Sequence, residues 1–112
     1  MSQHVNITTQ LHDSVVVKIP YSNITAIKSV QVLHNCNRAH NKVIKINCSL
    51  LENEENWGLI AHIFTNSHLD INEDIIYLNA YTDSIRFWLS DQNDIPVCLD
   101  ENIIINVSLL ID

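Results

Sequence analysis

The stretch SIRFWLS (Ser84–Ser90) alternates apolar and polar side chains with a period of two. Side chains of a β-strand point alternately to opposite faces, so this pattern predicts a strand. Ile85, Phe87 and Leu89 are predicted to face inward. This segment therefore indicates an all-β fold.

The other face of this strand carries Arg86 and Trp88. An outward tryptophan beside an arginine is a good anchor for a protein interface. The alternative is that the strand lies between two layers and that Trp88 belongs to a core. Both interpretations remain open at the level of sequence.

Similar short strands recur along the chain, separated by polar or acidic segments. Pro20 is predicted to end the second strand, because proline cannot donate a hydrogen bond to a sheet. The segment 66–74 is predicted to be an acidic loop. The other predicted strands are 5–9, 14–19, 26–33, 42–50, 57–64, 75–79 and 101–110.

Two of these strands have a clear inward face. The strand 42–50 presents one set of alternating apolar side chains, and the strand 101–110 presents another. No segment shows the apolar stripe and capping residues of a helix. The inward residues are Ile44, Ile46, Cys48 and Leu50 in the first strand, and Ile103, Ile105, Val107 and Leu109 in the last.

About eight short strands predict an antiparallel β-sandwich of jelly-roll type in a single domain, residues 1–112. A seven-stranded immunoglobulin-like sandwich is the alternative, although its usual Cys…Trp…Cys order is missing. Some strands are apolar on both faces, and Ile104 and Leu110 lie on the second face of the last one. Isoleucine is abundant in the chain. Either an AT-rich coding sequence explains the isoleucines on the second face, or another subunit covers that face.

Composition excludes several classes of function. The chain has 112 residues, a net charge of −7 and one glycine. The charge argues against nucleic acid as a partner, and a phosphate-binding loop needs several glycines. No apolar run approaches the roughly 20 residues of a membrane helix, so membrane insertion is not expected. The N-terminus lacks the pattern of a signal peptide, which predicts a location in the cytoplasm of the producing cell.

The sequence assigns no catalytic residue, cofactor or metal ligand, and we do not expect an enzyme. His34, Cys36 and His40 could ligate a metal, but their spacing matches no standard zinc motif. The chain has three cysteines, Cys36, Cys48 and Cys98, and the absence of a closely spaced pair predicts free thiols. Four N-x-S/T triplets, at Asn6, Asn23, Asn47 and Asn106, would be glycosylation acceptors only in a secreted protein.

The C-terminal third carries a family resemblance. The segments 84–97 and 101–109 resemble a recurring C-terminal hairpin in capsid-associated proteins of Polinton-like transposons, adintoviruses and related DNA viruses. That hairpin has the pattern I-x-[IVF]-x-[IL]-x-D, then a turn of the form D-x-G-x-P-V, then an aliphatic strand. This chain has Asn93 and Asp94 where the family has glycine, and both residue types tolerate positive φ. The match is looser for 15–19 and 24–33.

The resemblance implies a jelly-roll or sandwich protein of a virion or mobile element, with no catalytic residues. The corresponding expectation is a structural or attachment protein that forms homo-oligomers and contacts other capsid or cell-surface proteins. Arg86, Trp88, Ile104 and Leu110 are the predicted interface residues. The alternative is a ligand-binding or adhesion module that recognises carbohydrate or protein.

Overall fold

Strands make up nearly all of the chain that the computed structural model describes, which comprises residues 3–34, 43–51, 58–64, 69–99 and 103–112. A 3₁₀ turn, Ser49–Leu51, is the only helical element in these ranges. None of the helical structure in them is long and apolar enough to cross a membrane. The strands are β1 (Gln3–Leu11), β2 (Ser14–Leu33), β3 (Val43–Cys48), β4 (Leu59–Phe64), β5 (Leu69–Asn72), β6 (Ile76–Ser90) and β7 (Ile103–Ile111).

The seven strands form one sheet that curls into a half-barrel. Its order is β1-β7-β2-β6-β3-β4, with β5 paired to β2, and every pairing is antiparallel. The predicted all-β antiparallel class is confirmed. The two-layer jelly-roll sandwich is not confirmed, because the strands belong to a single curled sheet.

The long strand β2 is the central strand of this sheet and pairs with three others. One edge pairs with β6 and then with β5, and the other edge pairs with β7 from Ile24 to Leu33. The prediction that Pro20 ends a strand is wrong. Pro20 lies at a register shift between Lys18 and Ser22, where the pairing with β6 is interrupted. Its missing N–H is tolerated at such a bulge.

Two further boundaries differ from the prediction. The segments 76–79 and 84–90 are parts of one strand, β6, as 14–19 and 26–33 are parts of β2. These two mergers and the additional strand β5 give seven strands among the described residues instead of the predicted eight. The predicted acidic loop 66–74 contains β5, which pairs with residues 30–33 of β2. This segment forms a strand despite its polar composition because the edge of β2 offers it backbone hydrogen-bond partners.

The predicted C-terminal hairpin is also wrong as a pairing, because β2 lies between β6 and β7. The turn after β6 nevertheless forms as expected. Asp91 accepts hydrogen bonds on Oδ1 from the backbone N–H groups of Asn93 and Ile95, at 2.8 and 3.0 Å. Asp94 has a φ of 63°, so it occupies the left-handed conformation in place of glycine.

The inward faces are confirmed where the strands are regular. Ile85, Phe87 and Leu89 are completely buried, and β3 and β7 also bury their predicted alternating residues. Leu50 is an exception, because β3 ends at Cys48 and Leu50 lies half-buried in the 3₁₀ turn. The prediction of free thiols holds for Cys48 and Cys98, and Cys36 lies outside the described residues.

Candidate association surface

Arg86 and Trp88 lie together on β6, on the face opposite its buried residues. The guanidinium carbon of Arg86 is 4.9 Å from the centre of the Trp88 ring, a cation–π distance. The indole is half-buried and lies over Gly58, just before β4. Trp88 therefore packs against a neighbouring segment of its own chain and leaves only part of its ring for a partner.

Ile104 lies on a different part of the sheet and has apolar neighbours there. It pairs directly opposite Leu33, and Ile71 pairs opposite Gln31, two residues earlier on β2. Directly paired residues share a face in an antiparallel sheet. Leu33, Ile71 and Ile104, here called the aliphatic patch, are between 41% and 52% exposed.

Behind the aliphatic patch, the same strands bury Val30, Val32, Ile105 and Val107. These strands are therefore apolar on both faces, as the sequence indicated for the last strand.

Leu110 is half-buried and lies six residues along β7 from Ile104, about 20 Å away at 3.3 Å per residue. The four predicted interface residues thus do not form one continuous surface.

A second exposed group consists of three tyrosines on the paired segments of β2 and β6. Tyr21, Tyr77 and Tyr81, here called the tyrosine patch, are between 63% and 78% exposed. The rings of Tyr21 and Tyr81 stack with their centres 6.4 Å apart and an angle of 27° between their planes. No residue from 14 to 23 or from 76 to 84 is fully buried, and only one side of this ribbon packs against the core, through Val15, Val17, Ile19, Ile76 and Leu78.

The three residues whose metal binding the sequence leaves open are only partly located. His34 is buried at the end of β2, while Cys36 and His40 lie outside the described residues. Asn47 is buried and donates from Nδ2 to Ser90 Oγ at 2.8 Å and to the Trp88 carbonyl at 3.3 Å. This asparagine is a structural hydrogen-bond donor in the folded chain and is inaccessible for glycosylation.

Sequence reasoning missed most of the two patches. Leu33 and Ile71 were placed on a strand and in a loop without any indication that they meet, because register cannot be read from either segment alone. Tyr81 was placed between two strands. The uninterrupted run from Ile76 to Ser90, without glycine or proline, was the available signal that one strand spans it.

Comparisons with known proteins bear on the fold. No known family's sequence profile matches the chain, and no curated protein matches its sequence. The Drosophila NLP core, a crystal structure described for pentamer formation and histone binding, aligns with a TM-score of 0.50 and 14% identity over 96% of each chain. At that identity the likeness establishes a shared fold alone.

Two phage capsid structures also align. The acid-stable capsid of the Helicobacter pylori bacteriophage KHP30 has a TM-score of 0.44 and 8% identity, covering 99% of this chain and 92% of that one. The cyanophage Pam1 capsid has a TM-score of 0.43 and 9% identity, covering 98% and 80%. These superpositions are too weak to carry an argument about function.

Proposed function

We propose that this chain is a self-associating structural protein of a virus or virus-derived element. The aliphatic patch carries the proposal. Leu33, Ile71 and Ile104 are adjacent on regular, paired strands, whereas apolar residues that are scattered singly over a surface need no explanation. Burying such side chains between subunits stabilises an assembly by roughly 25 cal/mol per Å² of apolar surface.

The form of the patch supports contact with a second protein surface. It continues the strands of the core, and its polar neighbours Gln31 and Asn106 lie on the same face of β2 and β7. A hydrophobic centre with polar surroundings is the usual anatomy of an interface. The Drosophila NLP core is described for pentamer formation, and by analogy of fold it supports association of copies here.

The resemblance of the C-terminal segments to capsid-associated proteins supports the assignment to a virion or mobile element. In that setting the partners would be further copies of the chain and other capsid or cell-surface proteins. Arg86 and the exposed part of Trp88 would then form a secondary contact on β6.

Sedimentation velocity at micromolar concentration tests self-association. We expect a species heavier than the 12.8-kDa monomer, and we expect the double variant Leu33→Lys/Ile104→Lys to dissociate it. The matched control is Asn79→Lys/Gln92→Lys, which adds the same charge at exposed positions on β6 and in the turn after it, away from the aliphatic patch. A wild-type protein that remains monomeric, or equal dissociation in both variants, would contradict the proposal.

The tyrosine patch favours a second candidate, a ligand-binding or adhesion module. Exposed aromatic rings on a rigid strand ribbon offer flat surfaces against which a sugar ring can pack. A glycan array tests this function, with Tyr77→Ala/Tyr81→Ala as the variant. Retention of a glycan that depends on these tyrosines would support the module, and a blank array or retention by the variant would contradict it.

A further inference from the structure

Three side chains that can bind a metal meet beside the turn between β1 and β2. His12 and Asp13 form that turn, and Cys98 comes from the segment between β6 and β7. One ligand atom from each lies within 4.8 Å of the other two. His12 Nε2 and Asp13 Oδ1 are 3.7 Å apart. Cys98 is far from His12 and Asp13 in sequence, so the fold creates this group.

Backbone hydrogen bonds hold the two segments together. Leu99 N–H donates to the His12 carbonyl at 2.7 Å, and Leu89 N–H donates to the Asp13 carbonyl at 2.9 Å. On the other side of Cys98, Val97 N–H donates to the Leu89 carbonyl at 3.1 Å. Cys98 is therefore flanked by anchored residues. All three ligand side chains are exposed; Asp13 Oδ1 accepts from Ser14 N–H, and the Cys98 thiol donates to the Leu99 carbonyl at 3.7 Å.

We infer that His12, Asp13 and Cys98 form a Zn²⁺ site. Tetrahedral zinc with bonds of about 2.0–2.3 Å places its ligand atoms roughly 3.4–3.6 Å apart. The His12–Asp13 distance is close to that value, and the thiol must approach by only about 1 Å, which a rotamer change allows. A thiolate and an imidazole favour zinc over Ca²⁺ or Mg²⁺, which bind oxygen ligands.

The proposed site has three protein ligands and leaves the fourth position to water. The charges of the thiolate and the carboxylate neutralise the ion, and the net charge of −7 on the chain also favours binding of a cation. Bound zinc would join the β1–β2 turn to the segment before β7. Binding to the folded state alone raises the melting temperature with zinc concentration.

The test uses the full chain purified without a polyhistidine tag and titrated with Zn²⁺ and, separately, with Co²⁺. We expect one metal per chain, a thiolate-to-cobalt charge-transfer band and a rise in Tm. Cys98→Ser should abolish the band and weaken zinc affinity by roughly 10-fold or more, since even outer-shell changes cost that much. His12→Gln should weaken zinc affinity similarly, and circular dichroism should show an unchanged fold.

Two controls keep the outcome specific. His4→Gln removes a different exposed histidine, in β1. Cys36→Ser removes the thiol that lies between His34 and His40 in the sequence. Both variants should bind metal as the wild type does. Substoichiometric metal, a charge-transfer band that survives Cys98→Ser, or a band lost in Cys36→Ser instead would overturn the assignment.

Discussion

Replacing Gly58 with alanine should destabilise the chain through one local contact. Gly58 has a φ of +94°, a conformation that residues with a Cβ rarely adopt. An added Cβ would lie 3.2 Å from Cη2 of Trp88 and 3.3 Å from the Cys48 carbonyl oxygen. The backbone cannot easily relax, because the Gly58 carbonyl accepts a 2.7 Å hydrogen bond from Cys48 N–H.

The magnitude follows from opposing contributions. Holding a non-glycine residue in such a conformation costs about 1–3 kcal/mol. Alanine also restricts the unfolded chain, which returns about 0.4–1 kcal/mol of stability. The difference is about 0–2.6 kcal/mol, and the close contacts of the new Cβ with Trp88 and the Cys48 carbonyl add to the cost. We therefore expect a net loss of about 1–2 kcal/mol, and each kcal/mol lowers the Tm of a small domain by about 4–8 °C.

Thermal and urea unfolding followed by circular dichroism measure this loss for Gly58→Ala. A double-mutant cycle with Trp88→Leu separates the two causes, because removing the indole relieves the contact with the new Cβ and leaves the φ penalty unchanged. The contact predicts a smaller loss in the Trp88→Leu background. An unchanged or higher Tm for the single variant would refute the reasoning.

Three further predictions concern single side chains. Asn47→Ala removes buried hydrogen bonds and should lower the free energy of unfolding by about 1–3 kcal/mol. The midpoint of urea unfolding measures this loss, and a midpoint unchanged within error would contradict the prediction. Lys45→Ala breaks the 3.1 Å ion pair with the exposed Asp94, and urea unfolding at low and high salt should show a loss of at most about 1 kcal/mol. In a Cys36→Ser variant a thiol reagent should label Cys98 in the native protein, because Cys98 is exposed, and should label the buried Cys48 only after unfolding. Equal labelling rates for the two cysteines would contradict their assigned burial.

Sequence patterns predicted the strands whose two faces differ. In β3, β6 and β7 the alternation identifies the buried side correctly, because a period of two leaves only one face that can join the core. The turn at Asp94 was predictable for a similar local reason, since aspartate and asparagine tolerate positive φ. These features depend on neighbouring residues alone.

Features that depend on a distant partner could not be predicted. β5 exists because residues 30–33 offer it an edge, and β2 passes Pro20 because the pairing is interrupted there. The mistaken C-terminal hairpin has the same origin, since proximity in sequence suggested a pairing that β2 prevents. In the candidate surface, Ile104 was identified from its position, but Leu33 and Ile71 required the register.

The position of β7 between β1 and β2 has a consequence for how the chain folds. Residues 3–11 find their partner only at residues 103–111, almost a chain length later. Such distant contacts raise the contact order, and domains of this kind fold in milliseconds to seconds. During synthesis, β1 and one edge of β2 stay unpaired until β7 leaves the ribosome, so the nascent chain passes through an aggregation-prone stage that slower translation lengthens.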